Sequence, residues 1–334
     1  MELEIFSDET YVFKKKYVGI GCLFVPTSYK YKLVKKLLLY RCLNPKNMNK
    51  WKIDQKSCKI FKDNECNPLH HKYNDCEIHY KDFRKGMSYS LNQISTKWIE
   101  FLVNHNKNSS DDEKIYFNIL FLDMEKLDSK FFGRDLTGNN KYNRFYKTAI
   151  TGPLKSFFKE YNNITIKEIF HDVADDKESH EYFYWHTPYI LNEKANITVK
   201  KDTITFINSN HKKYSPEDEN YINATLIQFI DLILGCTSHA IFKESEDLEK
   251  MKLFEIYYPL IRRLWKNPNN KNSSFKYFGS QQVSIFPKDK LTYSRDLYGN
   301  IIANPGTFHR DIELIEPTTS TKNHSLEDFK TNIR

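Results

Sequence analysis

Short apolar runs separated by polar segments follow the chain from its first residues, and most have the length of β-strands. Two of these runs open the chain, at 2–7 and 17–25, and the short link between them predicts an antiparallel hairpin. Later runs predict strands over 76–83, 114–123, 164–172 and 203–210, with a strand-like piece at 281–287. The pattern therefore predicts at least six strands distributed along the whole chain.

Segments with apolar residues at helical spacing alternate with these strands. They cover 29–43, 88–105, 141–161, 177–194, 220–242 and 246–265. Pro188 should bend or break the fourth of them, because proline cannot donate the hydrogen bond that a helix interior needs. Alternating helices and strands favour an α/β fold in which helices cover both faces of a mixed central β-sheet.

The chain divides by composition into a core domain and later additions. Residues 1–245 hold the alternating pattern, interrupted by a polar, irregular stretch at 45–75 that we interpret as an insertion or loop. Residues 246–315 are expected to form a helical and strand extension packed on this core. Residues 316–334 are rich in polar side chains, and we expect a flexible tail.

Acidic residues stand at the ends of several predicted strands. Asp8, Asp123 and Asp172 each close an apolar run, and Glu77 begins another. In open α/β sheets, functional groups collect outside the carboxyl ends of the strands, so these carboxylates could converge on one place. Taken singly, each has a plainer interpretation as a turn former or a helix cap.

Asp231 is the acidic residue that is hardest to explain as structural. It lies in "LIQFIDLILG", where the neighbouring turns are apolar apart from Gln228, three residues earlier on the same helical face. A carboxylate in such a helix is rarely buried without a partner or a metal ion. We therefore predict that Asp8, Glu77, Asp172 and Asp231 bind Mg²⁺ or Mn²⁺, with Asp123 and Glu9 as reserve ligands.

Glu9 ranks below Asp8 because side chains alternate between the two faces of a strand. The same alternation turns His171 away from Asp172, so we do not assign His171 as a ligand. Clustered carboxylates of this kind suit two-metal phosphoryl transfer, in which the ions bind both the attacking and the leaving oxygen.

These motifs together resemble a large bacterial family known as domain of unknown function 3800, whose members look RNase H-like. "FSDET" followed by "YVGIGCLFVP" resembles the start of that family, and "LIQFIDLILG" resembles its final core helix. The matching residues are Asp8, Glu9, Glu77, Asp123, Asp172, Gln228, Asp231 and Gly235. The resemblance spans roughly residues 3–242, and it departs from the family at 45–75, after 245, at Thr10 and at Ile230.

The resemblance implies a metal-dependent nuclease, with genetic contexts linked to phage defence or mobile elements. Two other readings stay open: a catalytically inactive RNase H-like module that binds nucleic acid or protein, and a subunit that is active only within a multi-protein defence or toxin complex. The expected partners are RNA or DNA and, in the last reading, a partner protein. No glycine-rich phosphate loop and no Gly-x-Ser-x-Gly motif points to another class of enzyme.

Cysteine and histidine residues in 58–79 raise the alternative of a structural zinc site. Cys66, His70, Cys76 and His79 have suggestive spacing, but the segment between the two pairs is too short for a familiar zinc finger. We favour a polar loop with reduced thiols. His79 could instead lie beside Glu77 at the acidic site.

Charge and composition add weaker information. The net charge of +8 over 334 residues is compatible with a polyanionic partner, although no basic block dominates. The aromatic run "YFYWHTPY" at 182–189 could stack unpaired bases, but the interpretation we favour is a core stripe.

No apolar segment has the length and purity expected of a membrane span, and no signal peptide is visible. We expect a cytoplasmic protein that makes no membrane contact.

Overall fold

The computed structural model describes residues 1–41, 76–84, 89–127, 138–173, 183–194, 196–215, 218–265, 279–286, 292–295 and 301–304, together with Leu314 and Pro317. The first half contains β1 (Glu2–Val12), β2 (Tyr17–Pro26), α1 (Lys30–Leu39), α2 (Tyr89–His105), β3 (Tyr116–Asp123), α3 (Gly138–Phe157) and β4 (Ile164–Asp172). The second half contains α4 (Phe183–Asn192), β5 (Ile197–Val199), β6 (Ile204–Ile207), α5 (Glu219–Phe242), α6 (Leu248–Leu264), β7 (Gln281–Phe286), β8 (Thr292–Arg295) and β9 (Ile301–Asn304).

Seven of these strands form one mixed sheet in the order β5-β4-β1-β2-β3-β7, with β6 also paired to β4. The first three strands are antiparallel neighbours, β4 lies parallel to β1, and β7 lies parallel to β3. Strands β8 and β9 form a separate antiparallel hairpin.

Helices cover both faces of this sheet. On one face, which we call the α5 face, side chains of α1, α2, α5 and α6 pack on strand residues such as Phe6 and Phe121. On the other, the α3 face, side chains of α3 and α4 pack on Ile5 and Leu120. Successive residues of β1 thus enter different cores, as the period of a strand requires. The predicted α/β fold with helices on both faces is confirmed.

Helix α5 is the central element of the α5 face. Asp218 caps its start by accepting a hydrogen bond from the Asn220 backbone N–H, and Lys243 ends it in the left-handed conformation with φ 48°. Contrary to the expectation from sequence, α5 is long and apolar enough to cross a membrane. Since 89% of its most apolar segment is buried inside the protein, it is the core helix of this fold.

The first strand is longer than predicted. β1 continues past residue 7 to Val12, so Asp8 and Glu9 lie within the strand, paired with Gly21 and Ile20 of β2. The interpretation of this stretch as a turn, and of Asp8 as a strand end, is therefore wrong. The reversal lies at 13–16, where Phe13, Lys14 and Lys15 have positive φ angles.

Other boundaries also shift. Residues 76–79 have no regular secondary structure and pair with no strand among the described residues, and a short 3₁₀ turn follows at Tyr80–Asp82, so the strand predicted at 76–83 is wrong. Helix α4 ends at Asn192, two residues before the predicted end, and continues through Pro188; residues 177–182 lie outside the described part of the chain. The strand β5 was not predicted.

The additions to the core fall into three groups. Residues 45–75 lie outside the described part of the chain. Within 246–315, α6 packs in the core of the α5 face and β7 pairs with β3, so this segment completes the central sheet. Apart from Pro317, the tail at 316–334 also lies outside the described residues.

Candidate functional site

Asp8 and Asp172 are held side by side by two parallel strands. The pairing of β1 with β4 ends at Ser7 and His171, and each aspartate is the next residue of its strand. Asp8 is 7% exposed, and its Oδ1 accepts the backbone N–H of Glu9 at 2.7 Å. Asp172 Oδ1 accepts the backbone N–H groups of Val173 at 2.9 Å and Ser209 at 3.0 Å. The strands therefore fix both carboxylates next to each other, where the pairing of β1 with β4 ends.

Helix α5 brings Asp231 toward these residues because it packs closely on the sheet at Gly21, the partner of Asp8. A methyl group on Gly21 would come within 3.1 Å of Ile230 Cγ1 and 3.3 Å of Leu234 Cβ. Paired strand residues point to the same face, so Asp8 also faces α5. A larger residue at position 21 would push the helix away from the carboxylates.

A row of three α5 residues, Gln228, Asp231 and Gly235, binds the segment that carries Glu77; we call this row the α5 contact strip. Gln228 Oε1 accepts the backbone N–H of Ile78 at 3.1 Å. Asp231 Oδ2 accepts the backbone N–H of Tyr80 at 2.9 Å. The spacings of three and four residues place all three on one side of the helix.

Gly235 completes this strip by making room for Tyr80. A methyl group on Gly235 would overlap the Tyr80 ring at Cγ. The strip therefore replaces the strand pairing that 76–80 lacks: two side chains of α5 bind its backbone, and a glycine receives its aromatic ring.

Glu77 is joined to the other carboxylates by two polar side chains. The Ser209 hydroxyl lies 3.0 Å from Glu77 Oε1 and 3.2 Å from Asp172 Oδ2. His79 lies between Asp231 and Glu77, with Nδ1 3.1 Å from Asp231 Oδ2 and Nε2 3.4 Å from Glu77 Oε1. Asp8, Glu77, Asp172 and Asp231, the four residues predicted as the principal ligands, thus lie in one neighbourhood.

The electrostatics of this neighbourhood are strongly negative. Burial raises the pKa of Asp8 well above its ordinary value, and the negative charges of Asp231, Asp172 and Glu9 raise it further. Burial also raises the pKa of Asp172, against two backbone hydrogen bonds that lower it. The hydrogen bond to Asp231 raises the pKa of His79, so His79 tends to supply a compensating positive charge.

Glu9, predicted as a reserve ligand, lies on the α3 face. Its Oε2 lies 3.1 Å from His171 Nε2 and accepts the Tyr142 hydroxyl at 3.0 Å. His171 is fully buried there, on the opposite side of its strand from the Asp172 carboxylate. The expectation that alternation separates Glu9 from Asp8 and His171 from Asp172 is confirmed.

Asp123, the other reserve ligand, is not brought to the cluster. The β3 residue level with Asp8 is Ile119, so Asp123 lies four residues further along, roughly 13 Å away along the strand. Its Oδ1 accepts the Lys126 backbone N–H at 3.3 Å, and Lys126 Nζ lies 3.8 Å from Oδ2. Asp123 therefore caps the turn after β3, the alternative that the sequence left open.

Two residues of the proposed zinc site, Cys66 and His70, lie outside the described residues. Of the other two, His79 contacts Asp231 and Glu77, and Cys76 is half-buried. Cys22 and Cys236 are buried.

The four carboxylates have the chemistry that Mg²⁺ and Mn²⁺ require, since oxygen donors are the ligands that these hard ions prefer. In the described part of the chain, no three His, Cys, Asp or Glu side chains are gathered as a ready-made metal site. The carboxylates instead bind Ser209, His79 and backbone N–H groups.

Ser209 and the anchoring role of Gln228 were missed by sequence reasoning. Ser209 follows β6 in "FINSN", and a serine in such a polar loop carries no distinctive signal. Gln228 was noted for its position on the helix, and its place next to Asp231 was the available clue.

A scan against protein-family models and a search of curated proteins found no match to this chain.

Proposed function

We propose that this protein is a divalent-metal-dependent nuclease of RNase H-like type, related to the domain of unknown function 3800. The observation that carries the proposal is the environment of Asp8. Its carboxylate is buried, and the charges that act on it most strongly are those of three other carboxylates. Such an arrangement is unfavourable for the ionised protein alone and becomes favourable when a cation binds.

The sheet and the α5 contact strip support the same proposal. Asp8 and Asp172 come from neighbouring parallel strands, and Asp231 comes from a helix packed across them. Glu77 lies on the segment whose backbone the strip binds. Carboxylates from four separate segments would hold two Mg²⁺ or Mn²⁺ ions. When bound, such ions supply an activated water and stabilise the charge on the leaving oxygen of a phosphodiester.

Within this proposal the chain's own residues position the carboxylates and handle protons. Ser209 Oγ carries one proton and can donate it to Glu77 or to Asp172, which keeps these two side chains together. His79 is partly buried between Asp231 and Glu77, and its hydrogen bond to Asp231 raises its pKa. Lysine and arginine side chains would neutralise the phosphates of an RNA or DNA substrate.

The proposal is tested with the purified full-length chain and single-stranded RNA and DNA, the corresponding duplexes and an RNA–DNA hybrid. Each substrate is incubated with Mg²⁺, Mn²⁺ or EDTA. We expect cleavage that needs a divalent ion and that Asp8→Asn or Asp231→Asn abolishes without loss of the circular dichroism spectrum. Asp123→Asn is the matched control and should cleave like the wild type. Unchanged cleavage in both site variants would contradict the proposal.

A second function is favoured by the hydrogen bonds of the site. Because Asp172, Asp231 and Glu77 already have partners within the protein, the same scaffold could bind nucleic acid or a partner protein without cutting it. Nucleic-acid binding without cleavage under any metal condition would support this module. Cleavage that appears only after addition of proteins encoded nearby would support a subunit of a defence or toxin complex. In each case we propose a cytoplasmic protein acting in phage defence or in a mobile element.

A further inference from the structure

Helix α4 presents aromatic side chains to solvent on one side and to the core on the other. Phe183, Pro188 and Leu191 are buried, whereas Tyr184, Trp185 and Tyr189 are 38%, 36% and 53% exposed. A core stripe, which was the favoured interpretation of "YFYWHTPY", therefore accounts for only half of this run. Three exposed aromatic side chains on one ten-residue helix are unusual on a protein surface.

Two of these rings form a continuous surface. Trp185 and Tyr189 lie one turn apart, with ring centroids 6.1 Å apart and planes at 75°. The Tyr189 hydroxyl is hydrogen-bonded to Glu193, which orients its ring. We call Trp185 and Tyr189 the α4 aromatic face.

Positive charges border this face. Burial lowers the pKa of Lys147, and the nearby charges of Arg144 and Lys194 lower it further. Burial and then the charge of Lys147 lower the pKa of His186, whose ring lies 5.9 Å from that of Trp185. Arg144 and Lys147 belong to α3, and Lys194 follows α4. Cations that repel one another in this way are stabilised by an anionic ligand.

Helix α4 begins near the end of β4 that carries Asp172, but on the α3 face, the opposite side of the sheet from the carboxylates. Phe183, the first residue of α4, packs against His171 with ring centroids 5.5 Å apart, and His171 directly precedes Asp172. Tyr142 of α3 donates to Glu9, the neighbour of Asp8. Helices α3 and α4 thus both start near the ends of the strand pairing that carries the site, and they run away from it over the α3 face.

We propose that the α4 aromatic face and its bordering cations bind single-stranded nucleic acid. Unpaired bases would stack on Trp185 and Tyr189, and their phosphates would contact Lys147, Lys194 and Arg144. Stacking on aromatic rings is open to bases whose faces are exposed, as in a single strand, and closed to bases within a duplex. That the bound strand continues to the carboxylates rests on the proposed nuclease function; the binding itself needs no metal.

The test measures binding separately from cleavage. Fluorescence anisotropy of a labelled single-stranded oligonucleotide of ~15 nucleotides is recorded in EDTA with full-length Asp8→Asn protein, for both DNA and RNA. Trp185→Ala and Tyr189→Ala should each weaken binding at least fivefold, whereas Trp185→Phe should retain most of the affinity. Lys147→Gln should reduce the slope of log affinity against log salt by about 0.7.

Two control variants match these changes elsewhere on the surface. Tyr31→Ala removes a tyrosine that is 53% exposed on α1, and Lys107→Gln removes an exposed charge after α2; neither should alter binding. Circular dichroism verifies that every variant is folded.

The outcomes separate this surface from the proposed enzyme. Weaker binding by Trp185→Ala, together with no cleavage by the wild-type protein under any metal condition, would support the surface and contradict the nuclease. No binding by the parent protein, affinity unchanged in Trp185→Ala and Tyr189→Ala, or equally tight binding of duplex would overturn the surface, even if Asp8-dependent cleavage is observed. The proposal would also be overturned if Trp185→Ala and Tyr189→Ala weaken the binding of a partner protein but leave the affinity for the oligonucleotide unchanged.

Discussion

The ring of Tyr80 lies directly against the backbone of Gly235, so close that a single methyl group at position 235 would overlap it. The backbone N–H of the same tyrosine donates to Asp231, one turn earlier on α5. Gly235 therefore helps to position the Asp231 carboxylate, because it makes room for the tyrosine whose backbone N–H binds that carboxylate.

Gly235→Ala should separate Tyr80 from α5. Because the tyrosine is buried, it has no free space into which to move, and we expect a loss of about 1–3 kcal/mol in the free energy of unfolding. The Tyr80–Asp231 hydrogen bond should weaken as well, so metal-dependent cleavage should fall more than stability alone explains. Urea unfolding and single-turnover cleavage below the unfolding transition measure the two effects.

Gly152→Ala is the control for that experiment, since a methyl group there would meet no atom within 4 Å among the described residues. Alanine in the helix α3 should raise stability by about 0.5–1 kcal/mol and leave cleavage unchanged. Equal behaviour of the two variants would show that the contact with Tyr80 has no consequence.

Metal binding should be visible in stability without any assay of activity. Mn²⁺ at 100 times its dissociation constant should stabilise the wild-type protein by about 2.7 kcal/mol, and Asp8→Asn should remove this gain. In EDTA, Asp8→Asn should be more stable than the wild type, because the amide replaces a buried carboxylate and ends its repulsion from Asp231 and Asp172. Thermal and urea unfolding with and without Mn²⁺ measure both.

Asp123→Asn again provides the comparison and should keep the full response to Mn²⁺. A response that disappears in Asp123→Asn and persists in Asp8→Asn would place the ion at the end of β3, away from the proposed site.

Acid should destabilise the protein through His239. This residue is buried near the end of α5, and its burial, together with the charge of Lys250, lowers its pKa to about 4. The unfolded chain binds this proton near pH 6.5, so stability is complete above pH 6.5 and falls as the pH approaches 4. The contribution lost is about 3 kcal/mol.

His239→Gln should lose correspondingly less stability between pH 6.5 and 4, which urea unfolding at several pH values can measure. Parallel pH profiles for variant and wild type would contradict this assignment.

Ser209→Ala should separate Glu77 from Asp172. The fold should remain, since the Ser209 backbone N–H still binds Asp172 and its carbonyl still accepts from Gln228. We expect a decrease in cleavage of roughly 10- to 100-fold, with a weaker apparent affinity for the metal ion.

Ser95→Ala is a suitable control for this change, because Ser95 is also a buried serine but donates only to its own helix at Leu91. Cleavage that falls equally in both serine variants would point to general loosening of the protein.

The sequence predicted the fold well wherever an element buries its own side chains. β3 and α5 were evident from the sequence because each contains more consecutive apolar residues than a solvent-exposed loop would carry. The end of β1 was not, because Ser7, Asp8, Glu9 and Thr10 have the composition of a turn. Their strand conformation depends on pairing with β2, a non-local interaction that composition does not reveal.

The site was predictable in part for the same reason. Asp231 stands out against an apolar helix, and alternation along a strand separates Asp8 from Glu9. Asp123 resembles Asp172 in sequence, since each closes an apolar strand, and only the register of the sheet shows how far Asp123 lies from Asp8. Residues 76–80 resemble a strand in sequence, but side chains of α5 bind their backbone in place of a neighbouring strand.

The Gln228 amide also determines the tautomer of a buried histidine. Its oxygen accepts hydrogen bonds from Arg41 and the Ile78 backbone, so its nitrogen must be the atom that donates to the Ser209 carbonyl at 2.6 Å and faces His211 Nδ1 at 2.8 Å. An amide nitrogen cannot accept, and His211 Nδ1 must therefore be the unprotonated nitrogen of a neutral imidazole, with its hydrogen on Nε2. An imidazolium at this position would bring two N–H groups face to face, so proton uptake by His211 would loosen the loop that holds Ser209.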